Sequence, residues 1–267
     1  MPTIVFMSSK GGAGKTTAAL TLALGLARRV ERVAMIDADA NLPIHRWRGQ
    51  TRAAANLAVF PAADAPKLLQ ALDQARTFSP WIIVDTEGSP RAWDQVGALN
   101  PDLVLIPLGA SPLEAAEAVR TSRSLQNMAT FFDRHLPHAC VFTRLPAAIR
   151  ARSFGLVVQQ LRAERIAMLQ TALIEKEAFR AMFWGGGGLD DLDPSKVSGL
   201  DAARINADQY AAEVIGLFSP GGPLAHAMPA APVQVAPPQA EIAPQAPMVR
   251  VVAPASDPIS YVMTHAA

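Results

Sequence analysis

A chain of 267 residues, half of them hydrophobic, can bury one substantial core, so one domain plus an appendage is expected. Its formal net charge of +1 excludes neither a nucleic acid nor a neutral partner, and the distribution of charge matters more than its sum. The single cysteine, Cys140, excludes a disulfide within the chain and fits a small buried hydrophobe in a reducing compartment. The N-terminus carries no charged n-region or cleavage site, and Ala18–Ala27 is too short to span a bilayer. A cytoplasmic protein without a membrane anchor is expected.

The first apolar run, Thr3–Met7, reads as a strand, and Thr16–Arg29 reads as a helix. Between them lies Lys10-Gly11-Gly12-Ala13-Gly14-Lys15-Thr16-Thr17. Strand, glycine turn and helix form the setting in which backbone N–H groups curl round a phosphate and the helix N-terminus adds its positive end. Lys15 would reach the β- and γ-phosphates as a point charge, and the Thr16 hydroxyl would ligate Mg²⁺. The general pattern asks for glycine where Ser9 stands; the distinguishing feature here is a second lysine, Lys10.

Arg32–Ile36 is the next apolar run and leads into Asp37-Ala38-Asp39. Two carboxylates one residue apart at a strand end can face a metal and an attacking water together, with Asp37 holding the metal shell or the loop itself. Leu57–Phe60 follows, then a helical pattern over Ala65–Ala75. Trp81–Val84 is an apolar strand ending in Asp85, the arrangement of a Walker B carboxylate that reaches Mg²⁺ through water. Further runs at Leu103–Pro107, Ala139–Thr143 and Met168–Leu173 alternate with helical patterns over Leu113–Phe132 and Ala202–Phe218. Short strands alternating with helices predict an α/β fold: a mostly parallel, twisted sheet with helices on both faces. Ligands of such sheets bind beyond the carboxyl ends of the strands, where Lys15, Asp39 and Asp85 fall.

The Lys-Gly-Gly-x-Gly-Lys-Thr-Thr loop resembles the deviant Walker A loop of the ParA/MinD family of P-loop ATPases. The likeness covers residues 1–218, with loop, switch I and Walker B in the family's order. Its sharpest local form, Asp37–Trp47 with Ile174–Met182, is similar to ParA-type ATPases of Ti-plasmid virulence C operons, which assist DNA transfer. The resemblance implies ATP and Mg²⁺ as ligands, bound by Gly11, Gly12, Ala13, Gly14, Lys15, Thr16 and Thr17. Metal candidates are Thr16, Asp39 and Asp85. It also implies that Lys10 crosses a homodimer interface to the other subunit's nucleotide and that Asp39 organises the attacking water. Gly88, in a switch II-like Thr86-Glu87-Gly88-Ser89, would sense the nucleotide, and Arg144 would line the adenine pocket. The lone cysteine weighs against the family's iron–sulfur members, whose subunits need paired cysteines.

From Arg134 to Ala163 the sequence has no acidic residue but several arginines, Arg150 and Arg152 among them. Guanidinium groups gathered on one face bind phosphates without reading sequence. Lys176 and Arg180 lie near positions that contact DNA in some partition ATPases, so non-specific DNA is an expected partner. Gly185–Gly188 lacks a following Lys-Ser/Thr and reads as a flexible hinge. The histidines show no ligand spacing. Beyond Phe218 repeated prolines interrupt any periodicity, so residues 219–267 are expected to form an extended, disordered tail, unlike MinD's membrane helix.

Together these readings predict a slow Mg²⁺-dependent ATPase that forms an ATP-bound sandwich dimer, binds DNA and waits for an activating partner protein. Plasmid partition and conjugative DNA transfer are the expected tasks. Two rivals stand beside it. A ligase using the same loop would need a second pocket of polar ligands, for which no motif is present. A non-hydrolysing ATP-dependent dimerisation module that positions a protein cargo is kept open by Glu87, where many relatives carry proline.

Overall fold

The computed structural model describes residues 1–9, 11–51, 53–89, 91–146, 151–185 and 187–227. In chain order the elements are β1 (Thr3–Phe6), α1 (Lys15–Ala27), β2 (Val33–Ala38), α2 (Pro43–Gln50), β3 (Leu57–Pro61) and α3 (Ala65–Phe78). Then come β4 (Ile82–Thr86), α4 (Arg91–Leu99), β5 (Leu103–Leu108), α5 (Pro112–Phe131), β6 (His138–Leu145) and α6 (Ala151–Ala163). β7 (Ala167–Met168), β8 (Leu173–Ile174), α7 (Glu177–Gly185) and α8 (Leu200–Phe218) complete the set, followed by a single 3₁₀ turn, Ala225–Ala227.

The strands form one sheet in the order β3-β2-β4-β1-β5-β6-β7, with β8 also on β6, and every pairing is parallel. The strands are continuous apolar runs because both faces of the sheet are covered. Their side chains still alternate: Ile4 and Phe6 enter one core, Val5 and Met7 the other. Helices α1, α2, α7 and α8 pack on the first face. Helices α3, α4, α5 and α6 pack on the second. The predicted α/β sheet with helices on both faces is the observed fold.

Three features differ from the sequence reading. The run Met168–Leu173 is not one strand but two short pairings, β7 and β8, on either side of a turn. The Glu213 carboxylate of α8 accepts from Gln170 N (2.7 Å) and Thr171 N (2.8 Å), which takes those amides out of the sheet. Asn206 then accepts from Ile174 N at 3.0 Å and donates to Ala172 O at 2.8 Å, fixing where the chain rejoins. The expected glycine hinge is also packed where it is described. Gly187 and Gly188 are buried, a Cβ on Gly187 would lie 2.7 Å from Asp191 Cβ, and Gly188 N donates to Asp191 Oδ2 at 2.8 Å. These glycines provide close approach rather than freedom.

Finally, the domain does not stop at Phe218. Leu224 and Ala227 are buried in the core, and the Met1 ammonium donates to Ala227 O at 2.7 Å. Residues 228–267, most of the expected tail, lie outside the described residues. Among the described residues, no helix is long and apolar enough to cross a membrane.

Helix α1 ties the sheet to α8 through a contact that only glycine permits. A Cβ at Gly25 would lie 2.5 Å from Ala211 Cβ. Gly25→Val should overpack this seam and cost about 1–3 kcal/mol. The check is the urea midpoint of parent and variant; an unchanged midpoint would mean that the two helices part without cost.

Candidate functional site

The loop between β1 and α1 turns at Gly12 (φ +79°) and Gly14 (φ +84°), conformations that residues with a Cβ seldom adopt. Gly14 is also the N-cap of α1 and makes no side-chain cap, so the first turn presents its backbone N–H groups to the loop's concave side. A Cβ at Gly14 would stand 3.0 Å from Thr143 Oγ1. That hydroxyl, at the end of β6, donates to Ala13 O at 2.7 Å and pins the loop to the sheet. Ala13 itself is buried behind the loop.

Lys15, the first residue of α1, is 7 % exposed, and its Nζ donates to Ser8 Oγ at 3.4 Å. Burial lowers the ammonium's pKa below its ordinary value; the charges of Asp85, Asp39 and Glu87 act the other way. Gly88 lies against the same group. A Cβ there would be 3.0 Å from Lys15 Nζ and 3.2 Å from the Gly11 backbone, so the stretch after β4 touches the loop through a residue without a side chain. Thr86 holds this stretch in place by donating to Phe6 O at 2.7 Å.

Asp37 and Asp85 are register partners on the adjacent parallel strands β2 and β4, so both side chains leave the sheet on the same face. Both are fully buried. Asp37 Oδ2 accepts from His45 N (2.8 Å) in the first turn of α2, and its carboxyl pKa is raised, chiefly by burial. Through this bond Asp37 contacts the start of α2, while its other oxygen stays turned to the site. Asp37 Oδ1 and both oxygens of Asp85 have no hydrogen-bond partner among the described residues. Burial pushes the Asp85 carboxyl up to about 7; the nearby Thr16 hydroxyl and Lys15 oppose the rise, while Asp37 and Asp39 add to it. Asp39 is half-buried at the cleft, its Oδ1 accepting from Asn41 N at 2.8 Å.

These oxygens fit a magnesium ion. Buried, unpartnered carboxylate oxygens beside a threonine hydroxyl are the hard donors that such an ion takes. Among the described residues no three of His, Cys, Asp and Glu group closely enough to hold a metal unaided. An ion here would therefore complete its shell from Thr16, water and ligand phosphates.

Above these groups opens a cleft of about 410 Å³, within the usual size range of small-molecule sites. Gly11, Gly12, Gly14, Lys15, Thr16 and Thr17 line one side, with Asp39 and Gly88 beside them. The opposite wall comes from the ends of β6 and β8 and from α7: Arg144, Leu173, Ile174, Lys176, Phe179 and Arg180. Lys176 and Arg180, expected as DNA contacts, thus form part of the cleft. Arg180 is ion-paired with Glu175 and, at 3.6 Å, with Glu177. The stretch without acids in sequence meets acids in space, since Arg144 Nη2 reaches Glu114 Oε1 at 2.7 Å. Lys10, Arg150 and the Arg152 side chain lie outside the described residues.

Thr143, Phe179 and Ser8 belong to the site and were not singled out from sequence. Thr143 ends an apolar strand and looks like one more β-branched core residue until its hydroxyl is seen on Ala13. Phe179 sits inside the segment Ile174–Met182, whose family likeness was the one available signal.

The sequence profile of the VirC1 protein matches residues 1–214. The chain belongs to the VirC1 family. It is 30 % identical over 211 residues to a Rhizobium radiobacter relative named Protein ParA, covering 79 % of this chain and 95 % of that one. Against the virC1 protein of the same organism the identity is 30 % over 187 residues, covering 68 % and 80 % of the two chains. Among solved structures, McdA of Cyanothece superposes with a TM-score of 0.65 at 17 % identity, over 80 % of this chain and 99 % of that one. A variant of that protein has been solved as its ATP complex. The VirC1-family chain is thus a ParA/MinD-type protein with a deviant Walker A loop, and its fold is that of the P-loop NTPases.

The buried Asp85 of this VirC1-family chain gives a signed pH dependence. In the ligand-free protein a carboxyl with a pKa of about 7 keeps a proton that the unfolded chain, at its ordinary value of 3.8, releases. The folded state binds more protons in that window, so this group's contribution to stability declines as pH rises from about 4 to 7. Asp85→Asn should flatten the decline and stabilise the ligand-free protein at pH 8, by on the order of a few kcal/mol, with little effect at pH 4. Melting curves without magnesium across that range provide the check; equal shifts at both ends would contradict the assignment.

Proposed function

We propose that this chain is a Mg²⁺-dependent ATPase that forms an ATP-bound homodimer and binds DNA non-specifically, serving plasmid partition or conjugative DNA transfer. One observation carries the reading. Lys15, Thr16 and Asp39 line one cleft, and the fully buried Asp85 lies close enough to all three to feel their charge or hydroxyl, with its acceptor oxygens unpartnered among the described residues. Lys15 and the α1 N-terminus would neutralise the β- and γ-phosphates. Thr16 and Asp85 would hold the magnesium ion, which supplies charge neutralisation when bound. Asp39, half-buried and open to the cleft, would orient the attacking water. Gly88 would carry the nucleotide's state into switch II through its contact with Lys15 and Gly11.

Dimerisation through Lys10 and the DNA partner rest on the family resemblance. Of the two expected DNA contacts that are described, Arg180 is ion-paired with two glutamates, so Lys176 is the one proposed to serve DNA. The activating partner is expected to be a ParB-like protein or a relaxosome component.

The test is release of phosphate from ATP with and without duplex DNA, on the parent and on Asp39→Ala. The parent should hydrolyse slowly and only with Mg²⁺. The variant should bind ATP with parent affinity and release at least about a hundredfold less phosphate, the lower end of what removing one general-base group costs. ATP binding without any release by the parent would instead favour the non-hydrolysing dimerisation module. DNA affinity should fall linearly with log salt, by about 0.9 log units per phosphate neutralised, and should appear with ATP rather than ADP.

A further inference from the structure

Arg144 holds a left-handed backbone (φ +54°) close to the end of β6. A side chain with a Cβ takes that conformation at a cost, borne where surrounding structure imposes it. The imposition is visible on both sides. Thr143 before it is tied to Ala13, and Leu145 after it accepts from Glu175 N at 2.8 Å. The pairing of β6 with β8 shifts register between Thr143 and Leu145. Arg144 is therefore the extra residue of a bulge, a device that re-aims a side chain, and here that residue lines the cleft.

The guanidinium is held in turn. Arg144 Nη2 donates to Glu114 Oε1 at 2.7 Å; the arginine side chain is 46 % exposed and the glutamate 20 %. Glu114 stands in the first turn of α5, its N–H donating to the N-cap Ser111 Oγ at 3.2 Å. Its carboxylate occupies the place where a side chain on Gly109 would be: a Cβ there would collide with Oε2 and lie 3.2 Å from Cδ. Gly109 is not among the residues with positive φ, so glycine serves for room and not for conformation.

We propose that Glu114, seated in the space left by Gly109, is the positioning residue that holds Arg144 at the cleft as the contact for the nucleotide's base. This rests on the nucleotide reading above. A planar guanidinium stacks on aromatic faces, and a purine offers it more face than a pyrimidine does. The pair would thus set a preference for ATP over UTP. The phosphates, held by the loop and Lys15, would not feel it.

The experiment is calorimetric titration of the full chain, in Mg²⁺, with ATP, UTP and inorganic tripolyphosphate, which has phosphates and no base. The parent should bind ATP more tightly than UTP. Glu114→Gln should weaken ATP by about two- to fivefold, the range for a half-exposed ion pair, and shrink the ATP-to-UTP preference equally. Tripolyphosphate affinity should not change. Gly109→Ala, which displaces the glutamate without altering charge, should show the same pattern, and Glu114→Gln should add nothing to Arg144→Gln. If Gly109→Ala fails to fold, Glu114→Gln and the double variant decide.

The inference is overturned if Glu114→Gln leaves ATP and UTP affinities at parent values. It is equally overturned if tripolyphosphate weakens as much as ATP, or if the two substitutions multiply. A parent that binds tripolyphosphate as tightly as ATP overturns the base contact and leaves the phosphate site standing. A parent that binds neither overturns the nucleotide reading and this inference with it.

Discussion

A lysine ammonium and two aspartate carboxylates lie buried together at the carboxyl end of a parallel sheet, and the rest of the site is arranged around that fact. Lys15, Asp37 and Asp85 are each less than a tenth exposed. Ionised groups removed from water are costly unless paired, and here the pairing is incomplete: three carboxylate oxygens have no donor among the described residues. A fold that keeps such a cluster bears a cost in the empty state that a bound cation and polyphosphate would relieve. The raised carboxyl of Asp85 and the lowered ammonium of Lys15 are two sides of the same desolvation.

The fold supplies this cluster through register and through glycine. Parallel pairing puts Asp37 and Asp85 side by side, and β1 beside β4 brings the loop over them. Gly88 and Gly14 then let backbone and side chains approach to about where a Cβ would be crowded, 3.0–3.2 Å from its nearest neighbours. Asp37 has a structural share in the work, since one of its oxygens accepts from His45 N in the first turn of α2. Helix α2 is in turn anchored to the cleft's far wall, because Trp47 Nε1 donates to Met182 O of α7 at 3.2 Å. The two segments whose likeness to the family was sharpest thus touch in space.

Much of this was legible in the chain. Strand runs and helical periods gave the sheet because its strands are buried on both faces, which leaves an unmistakable apolar signature. The loop, Asp39 and Asp85 were legible because each follows a strand and carries a residue type suited to phosphate or metal. What failed did so for tertiary reasons. Met168–Leu173 reads as one strand, but Glu213 and Asn206, far along the chain, claim its amides. The glycine run reads as a hinge because sequence does not show Asp191 packed upon it. The ion pair of Arg144 was likewise hidden in the sequence, because Glu114 approaches it from another helix. In each case the deciding partner is remote in sequence.

The central claim is that the buried charge cluster is a phosphate and magnesium site. Its most direct measurement is the affinity of the full chain for ATP with and without Mg²⁺, in the parent and in Lys15→Ala. The account predicts that the parent binds ATP more tightly with magnesium and that the variant loses about 1.5–3 kcal/mol of binding, the range for a hydrogen bond to a charged group. Equal affinity in parent and variant, unaffected by magnesium, would contradict it.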